Sequence, residues 1–218
     1  MTFRKTSFYI LGIISVATGI AALLKASLGL TSIDASCYGL SELTGLTVGQ
    51  AAILFNLALI LLGSLIKFNT NGLISIGVTL VFGVTVDLFI WIFSFITGTA
   101  FVGTLITASS FFIGTLFIPM GAAMMVYSGF PTLAGEVLLV SFKERFKISD
   151  GLSKFLLETF LFILAVVICI IADILIEDFK FFNVINHYTI FLYLSASFIF
   201  PKVTNKLKGG YLYVQQIN

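Results

Sequence analysis

Six polar residues stand where so apolar a chain has least reason to place them: Asp34, Asp87, Glu136, Glu158, Lys25 and Asn56. An ionisable group inside an apolar span is costly and usually faces the bundle interior or a water-filled path. Each is therefore a candidate contact for a substrate or a coupling ion. Asp87, in Gly83-Val-Thr-Val-Asp87, lies well inside an apolar run. It reads as a pathway group, able to carry a proton or to pair with Lys25. Glu158 lies one turn into another run, four residues after Lys154, so the two could pair on one helix face. Plainer readings stand beside these. Asp34 and Glu136 each precede a short segment and would suit the first turn of a helix, where a carboxylate meets free N–H groups and the positive end of the dipole. Otherwise they are ligand contacts, Asp34 at an outer mouth and Glu136 as its inner mirror. Asn56 could join helices by hydrogen bonds, and Lys25 could snorkel from a span end.

Other chemistries have little behind them. The two cysteines, Cys37 and Cys169, and the single histidine, His187, form no metal-ligand spacing. No nucleophile–base pair and no phosphate-cradling glycine loop is present, so neither an enzyme nor a cofactor is expected. No basic run with interleaved aromatics points to nucleic acid.

The chain has 218 residues, 59% hydrophobic and 10% charged, against roughly 25% charged in a soluble domain. Too few charges remain to cover a water-facing surface, so the lipid bilayer is the expected surround. Candidate spans of about 20 apolar residues lie at Ser7–Leu24, Val48–Ile66, Leu73–Phe95, Gly103–Val126, Phe155–Ile174 and Phe181–Phe200. The first is too long for a signal-peptide core and stays as a span. Putting both termini inside places ten Lys and Arg inside, with only Lys25 and Lys180 outside, which fits the positive-inside rule.

Shifting the sequence by 102 residues aligns Gly19 with Gly121, Asp34 with Glu136, Glu42 with Glu144, Thr47 with Ser149, Gly49 with Gly151 and Asn56 with Glu158. Units of three spans must run oppositely through the membrane, a recurring plan of secondary transporters. The segments Ile33–Leu43 and Gly135–Arg145 are too short to span. The expected fold is an all-α integral membrane protein. Its six transmembrane helices form two inverted three-helix repeats, with short amphipathic or re-entrant helices after spans one and four. It is one membrane domain over 1–218, with units at 7–95 and 103–200 and a cytoplasmic tail at 201–218. Gly12, Ser15, Gly19 and Ala22 form a small-residue stripe that predicts close helix packing in span one.

Lys25-Ala-Ser-Leu-Gly29, Asp34, Gly39-Leu-Ser41 and Thr44-Gly45-Leu-Thr47-Val-Gly49, followed by Gly83-x-x-x-Asp87, resemble the motif of the YczE/YyaS/YitT-like bacterial membrane proteins. Ser32-Ile33 stand where that family often has a proline before the Asp. The resemblance implies a multi-pass protein of the bacterial cytoplasmic membrane, with small-molecule transport suspected and no substrate supplied. Three functions are weighed: a small-molecule transporter or permease, for which a homodimer would shield the pathway of so short a chain; a substrate-binding membrane subunit of a vitamin-type uptake system; and a membrane scaffold or regulatory factor.

Overall fold

In the computed structural model, residues 2–67, 70–95, 100–131, 133–148, 150–195, 199, 202–203 and 206–207 are described, and no strand occurs among them. The helices are α1 (Thr2–Ala26), α2 (Ser32–Thr44), α3 (Val48–Ile66), α4 (Thr70–Ser94), α5 (Ala100–Ser128), α6 (Ala134–Phe146), α7 (Asp150–Leu175) and α8 (Phe181–Val184). A further helical run covers 187–195. Five helices are long and apolar enough to cross a membrane, at Phe3–Ala26, Val48–Ile66, Ile74–Ser94, Gly103–Ser128 and Phe155–Leu175. That is the make-up of a multi-pass membrane protein.

The sixth expected span is not one helix over its described part. α8 stops at Val184, the chain bends at 185–186, and the helix resumes at 187. Asn186 is the cause, because its side chain caps the new helix. Its Oδ1 accepts from the Tyr188 N–H at 2.9 Å, while its own backbone N–H donates to Thr189 Oγ1 at 3.2 Å. The proposed tail over 201–218 lies almost wholly outside the described residues.

Local chemistry sets the short helices. Thr31 has extended backbone and N-caps α2, its side chain accepting from the Asp34 N–H. Gly45, at φ 71°, ends α2 in the left-handed region that a residue without Cβ adopts freely. Thr47 and Gln50 start α3 with a reciprocal capping box. α2 and α6 are each 13 residues long. The backbone path also recurs. Ser32 and Ala134 start these helices, Ala26 and Ser128 end the helices before them, and Val48 and Asp150 start the helices after them, each pair 102 positions apart. Left-handed residues fall at the same spacing, Ser27 with Gly129 and Gly45 with Lys147.

α1 and α5 pack against each other antiparallel through their small residues. A Cβ on Gly12 would lie 2.8 Å from the Gly121 carbonyl oxygen, and one on Gly121 would lie 2.6 Å from that of Gly12. Gly114 would meet the Gly19 carbonyl at 3.0 Å. Ser15 Oγ donates to the Phe117 carbonyl at 2.9 Å between these crossings. The expected stripe is thus the contact surface for α5. Around this pair, α2 packs on α7, α6 packs on α3, and α4 packs on both α1 and α3.

Gly12→Val and Gly121→Val are expected to lower the thermal midpoint of the purified protein in detergent, since overpacking costs roughly 1–3 kcal/mol. Gly77→Ala and Gly103→Ala serve as controls. Their added methyl groups meet nothing within 4 Å, so the midpoint should hold or rise, by at most about 1 kcal/mol of helix propensity.

Candidate functional site

α2 and α6 both begin inside the bundle. Ser32, Ile33 and Asp34 of the first, and Leu133 and Gly135 at the start of the second, line one cavity of about 120 Å³. From there the two helices run to opposite ends. α2 reaches Thr47, which contacts Asp87 near the C-terminal end of α4. α6 carries Ser141 to the Lys67 carbonyl, just before α4 begins. Two helix N-termini therefore converge on the middle of the protein, where their free N–H groups favour polar or charged company. An engineered cavity of about 150 Å³ holds benzene, so this one suits a small-ring molecule or a few waters.

Asp34 lies at this central cavity, not at an outer mouth. It is 8% exposed. Its carboxylate Oδ2 accepts a short hydrogen bond from the Thr31 hydroxyl, which in turn accepts from the Asp34 N–H at 3.3 Å. Asp34 therefore lines the cavity without capping α2: Thr31 is the cap, and the Asp34 carboxylate holds the Thr31 hydroxyl in place. Asn56 of α3, 4% exposed, and Glu158 of α7, half-buried, line the same cavity. Asn56 and Glu158 are one of the pairs that the 102-residue shift aligned. Asn56 Nδ2 donates at 2.8 Å to the Ala52 carbonyl of its own helix, so this bond does not join two helices. Phe82 of α4, Pro119 of α5 and Tyr193 of the 187–195 run complete the wall.

Asp87 is elsewhere. Its Oδ2 accepts from the Thr47 hydroxyl at 2.6 Å and its Oδ1 accepts from the Gly49 N–H at 2.8 Å. Asp87 therefore completes the N-terminal cap of α3 from a neighbouring helix. Gly49 and Gly83 make room for this. A Cβ on Gly83 would lie 2.6 Å from the Gly49 carbonyl, and one on Gly49 would lie 2.5 Å from Asp87 Cγ. The Thr47-x-Gly49 and Gly83-x-x-x-Asp87 motifs are thus two halves of one helix contact. It borders a second, more open cavity with Glu42 and Trp91. Lys25 sits half-buried in the last turn of α1. Glu136 lies in the first turn of α6 by its backbone, and its side chain, like that of Lys154, is outside the described residues.

A family model matches residues 3–199, a stretch that holds both clusters. The chain belongs to DUF6198, a family of unknown function. No curated protein and no solved structure matches it significantly. In this DUF6198 protein, sequence reasoning missed Thr31 and Tyr193 as cavity residues. Thr31 was readable, standing three positions before an acid in a capping pattern. Nothing in the sequence marks Tyr193.

Removing the Asp87 carboxylate leaves the part-buried Gly49 N–H without its acceptor, while the exposed Thr47 hydroxyl can turn to water. Asp87→Ala should destabilise the protein by roughly 1 kcal/mol. Asp87→Asn keeps one acceptor oxygen and should cost less, as read from denaturation midpoints of the two variants side by side.

Proposed function

We propose that this DUF6198 protein is a small-solute transporter or permease of a bacterial cytoplasmic membrane, built as two inverted three-helix units around the central cavity. The observation that carries the reading is the convergence of α2 and α6 on one cavity from opposite ends. Discontinuous helices meeting at mid-depth are how inverted-repeat transporters hold their substrate. Irregular backbone is tolerated at that depth only where protein or a wet cavity surrounds it.

The two-unit plan has further support. A two-fold exchange of residues 102 apart turns the Gly12–Gly121 contact into the Gly114–Gly19 contact, and Ser15 meets Phe117, its own counterpart. The same exchange turns the α2–α7 pairing into the α6–α3 pairing. The 187–195 run takes the place of α4 in the second unit, because Tyr188 and Phe191 pack on Phe111 of α5, with ring centroids 5.3 and 6.1 Å apart, as α4 packs on α1. The Lys and Arg distribution favours six crossings with both termini inside. The Lys25 to Gly49 motif and Gly83-x-x-x-Asp87 support kinship with YczE/YyaS/YitT-like proteins. In this reading Asp34, Glu158 and Asn56 contact the solute. Asp87 holds α3 in place at the outer mouth.

A thermal-shift screen of the purified protein against amino acids, vitamins, sulfur compounds and simple ions tests the reading. A solute that binds only the folded state at a hundred times its Kd adds about 2.7 kcal/mol of stability. The expected result is a stabilising solute whose effect disappears in Asp34→Asn and Glu158→Gln while both variants stay folded. A solute that stabilises the variants as well as the parent would overturn the cavity assignment. No stabilisation by any class, with no uptake into proteoliposomes, would overturn transport.

A further inference from the structure

Most hydroxyls in these helices fold back onto a carbonyl one turn earlier, as Thr18, Ser36, Ser64, Thr85, Thr115 and Thr159 do. Ser75 and Thr79 do not. Both are 0% exposed, and neither Ser75 Oγ nor Thr79 Oγ1 has a hydrogen-bond partner among the described residues. A buried hydroxyl without a partner carries a desolvation cost, and no described group offsets it here. Two of them, four residues apart, lie one above the other on a single helix face.

That face leads to the cavity. Ser75, Thr79, Phe82 and Val86 form one stripe at helical spacing, and Phe82 lines the cavity wall. Ser75 and Thr79 sit at a seam in the core, and Phe82 and Val86 belong to the cluster on one side of it. On one side, Ile76 packs with the cluster of Phe55, Leu59 and Leu138. On the other, Val78 packs with Ile13, Val16 and Met125. Leu133, at the start of α6, both lines the cavity and packs in the second cluster. At the far end, α6 meets the end of α3 where Ser141 donates to the Lys67 carbonyl at 3.3 Å.

We infer that Ser75 and Thr79 line a polar path between the central cavity and the end of the bundle where α4 begins, and that their hydroxyls hydrogen-bond the water or small polar solute crossing it. This rests on the transporter reading and gives the cavity a route to one face. The seam is the natural place for it, because parting two packed clusters breaks less contact than opening either. The solute class is one that exchanges hydrogen bonds with neutral hydroxyls: water, a hydrated ion or a small polar molecule.

The test is side-specific thiol accessibility of the full chain in proteoliposomes, with Cys37 and Cys169, both buried, replaced by Ala. The probe is a trimethylammonium methanethiosulfonate that cannot cross the bilayer, read as one added adduct by mass. Ser75→Cys and Thr79→Cys are expected to react from the face that carries residue 67 and to be protected from the other. Leu80→Cys on the exposed side of α4 and Ala165→Cys in the sealed core should stay unmodified. Reaction of Asp34→Cys with neither α4 position reacting from either face would overturn the path and leave the cavity reading standing. No reaction of Asp34→Cys either would overturn both. Ser75→Ala and Thr79→Val guard against folding failure. With no protein partner to lose, they should leave the thermal midpoint unchanged or raise it. A fall of the size seen for a lost buried hydrogen bond would make the hydroxyls structural and overturn the path.

Discussion

A backbone N–H or carbonyl cannot be left bare in a dry interior or in hydrocarbon, and this bundle is organised around the places where it meets that constraint. Two helices, α2 and α6, begin within it, and a helix start leaves its first N–H groups without intrahelical partners. At α2, Thr31 supplies both oxygen atoms, its hydroxyl accepting from the Asp34 N–H and its carbonyl from the Ala35 N–H. The connector that leads there needs partners too. The Leu30 N–H donates to the Val184 carbonyl at 3.1 Å, a group within reach because the chain breaks directly after α8. Gly29, at φ 123°, presses so closely on Asn186 and Thr189 that a Cβ would lie 2.9 Å from the Asn186 Oδ1. The interrupted helix and the internal helix start therefore support each other.

The α1–α5 pair provides the rigid part against which these interruptions are held. Apolar side chains gain little from meeting one another when lipid is the alternative, so close packing between small residues does the work of association. Their glycines bring backbone against backbone, and the Ser15 hydroxyl adds a hydrogen bond where the helices cross. Tyr9 extends the hold, donating to the Pro131 carbonyl at 2.6 Å and thereby fixing the connector that leads into α6. The Thr47–Asp87–Gly49 contact does the equivalent for α3. Polar residues here chiefly hold backbone in place, and the cavity is what those held backbones enclose.

Much of this was legible in the sequence. The five spans followed from apolar length, and α2 and α6 came out within a residue of the short segments expected for them. The small-residue stripe on α1 predicted a close partner. The individual roles were less legible. Asp87 looked like the group most in need of a function, because sequence shows how apolar the neighbours along the chain are and not which N–H lies opposite across the core. Asn56 looked like interhelical glue and bonds within its own helix. Phe181–Phe200 read as one span despite a start made polar by Asn183, Asn186 and His187, because polarity alone does not show that Asn186 caps a new helix.

Apolar length and the scarcity of charge were enough by themselves to give a helical chain with the make-up of a multi-pass membrane protein and two short segments between long ones, because both are properties of residues close in the chain; whether those short segments lie inside the bundle was not among them. Which polar groups face each other was decided only by the fold. Asp34, Asn56 and Glu158 reach one cavity because α3 and α7 both pack on α2. Ser75 and Thr79 stand without partners because of what packs on either side of α4. Those are contacts between distant segments, set by how the helix surfaces fit, and a one-dimensional pattern carries no record of them.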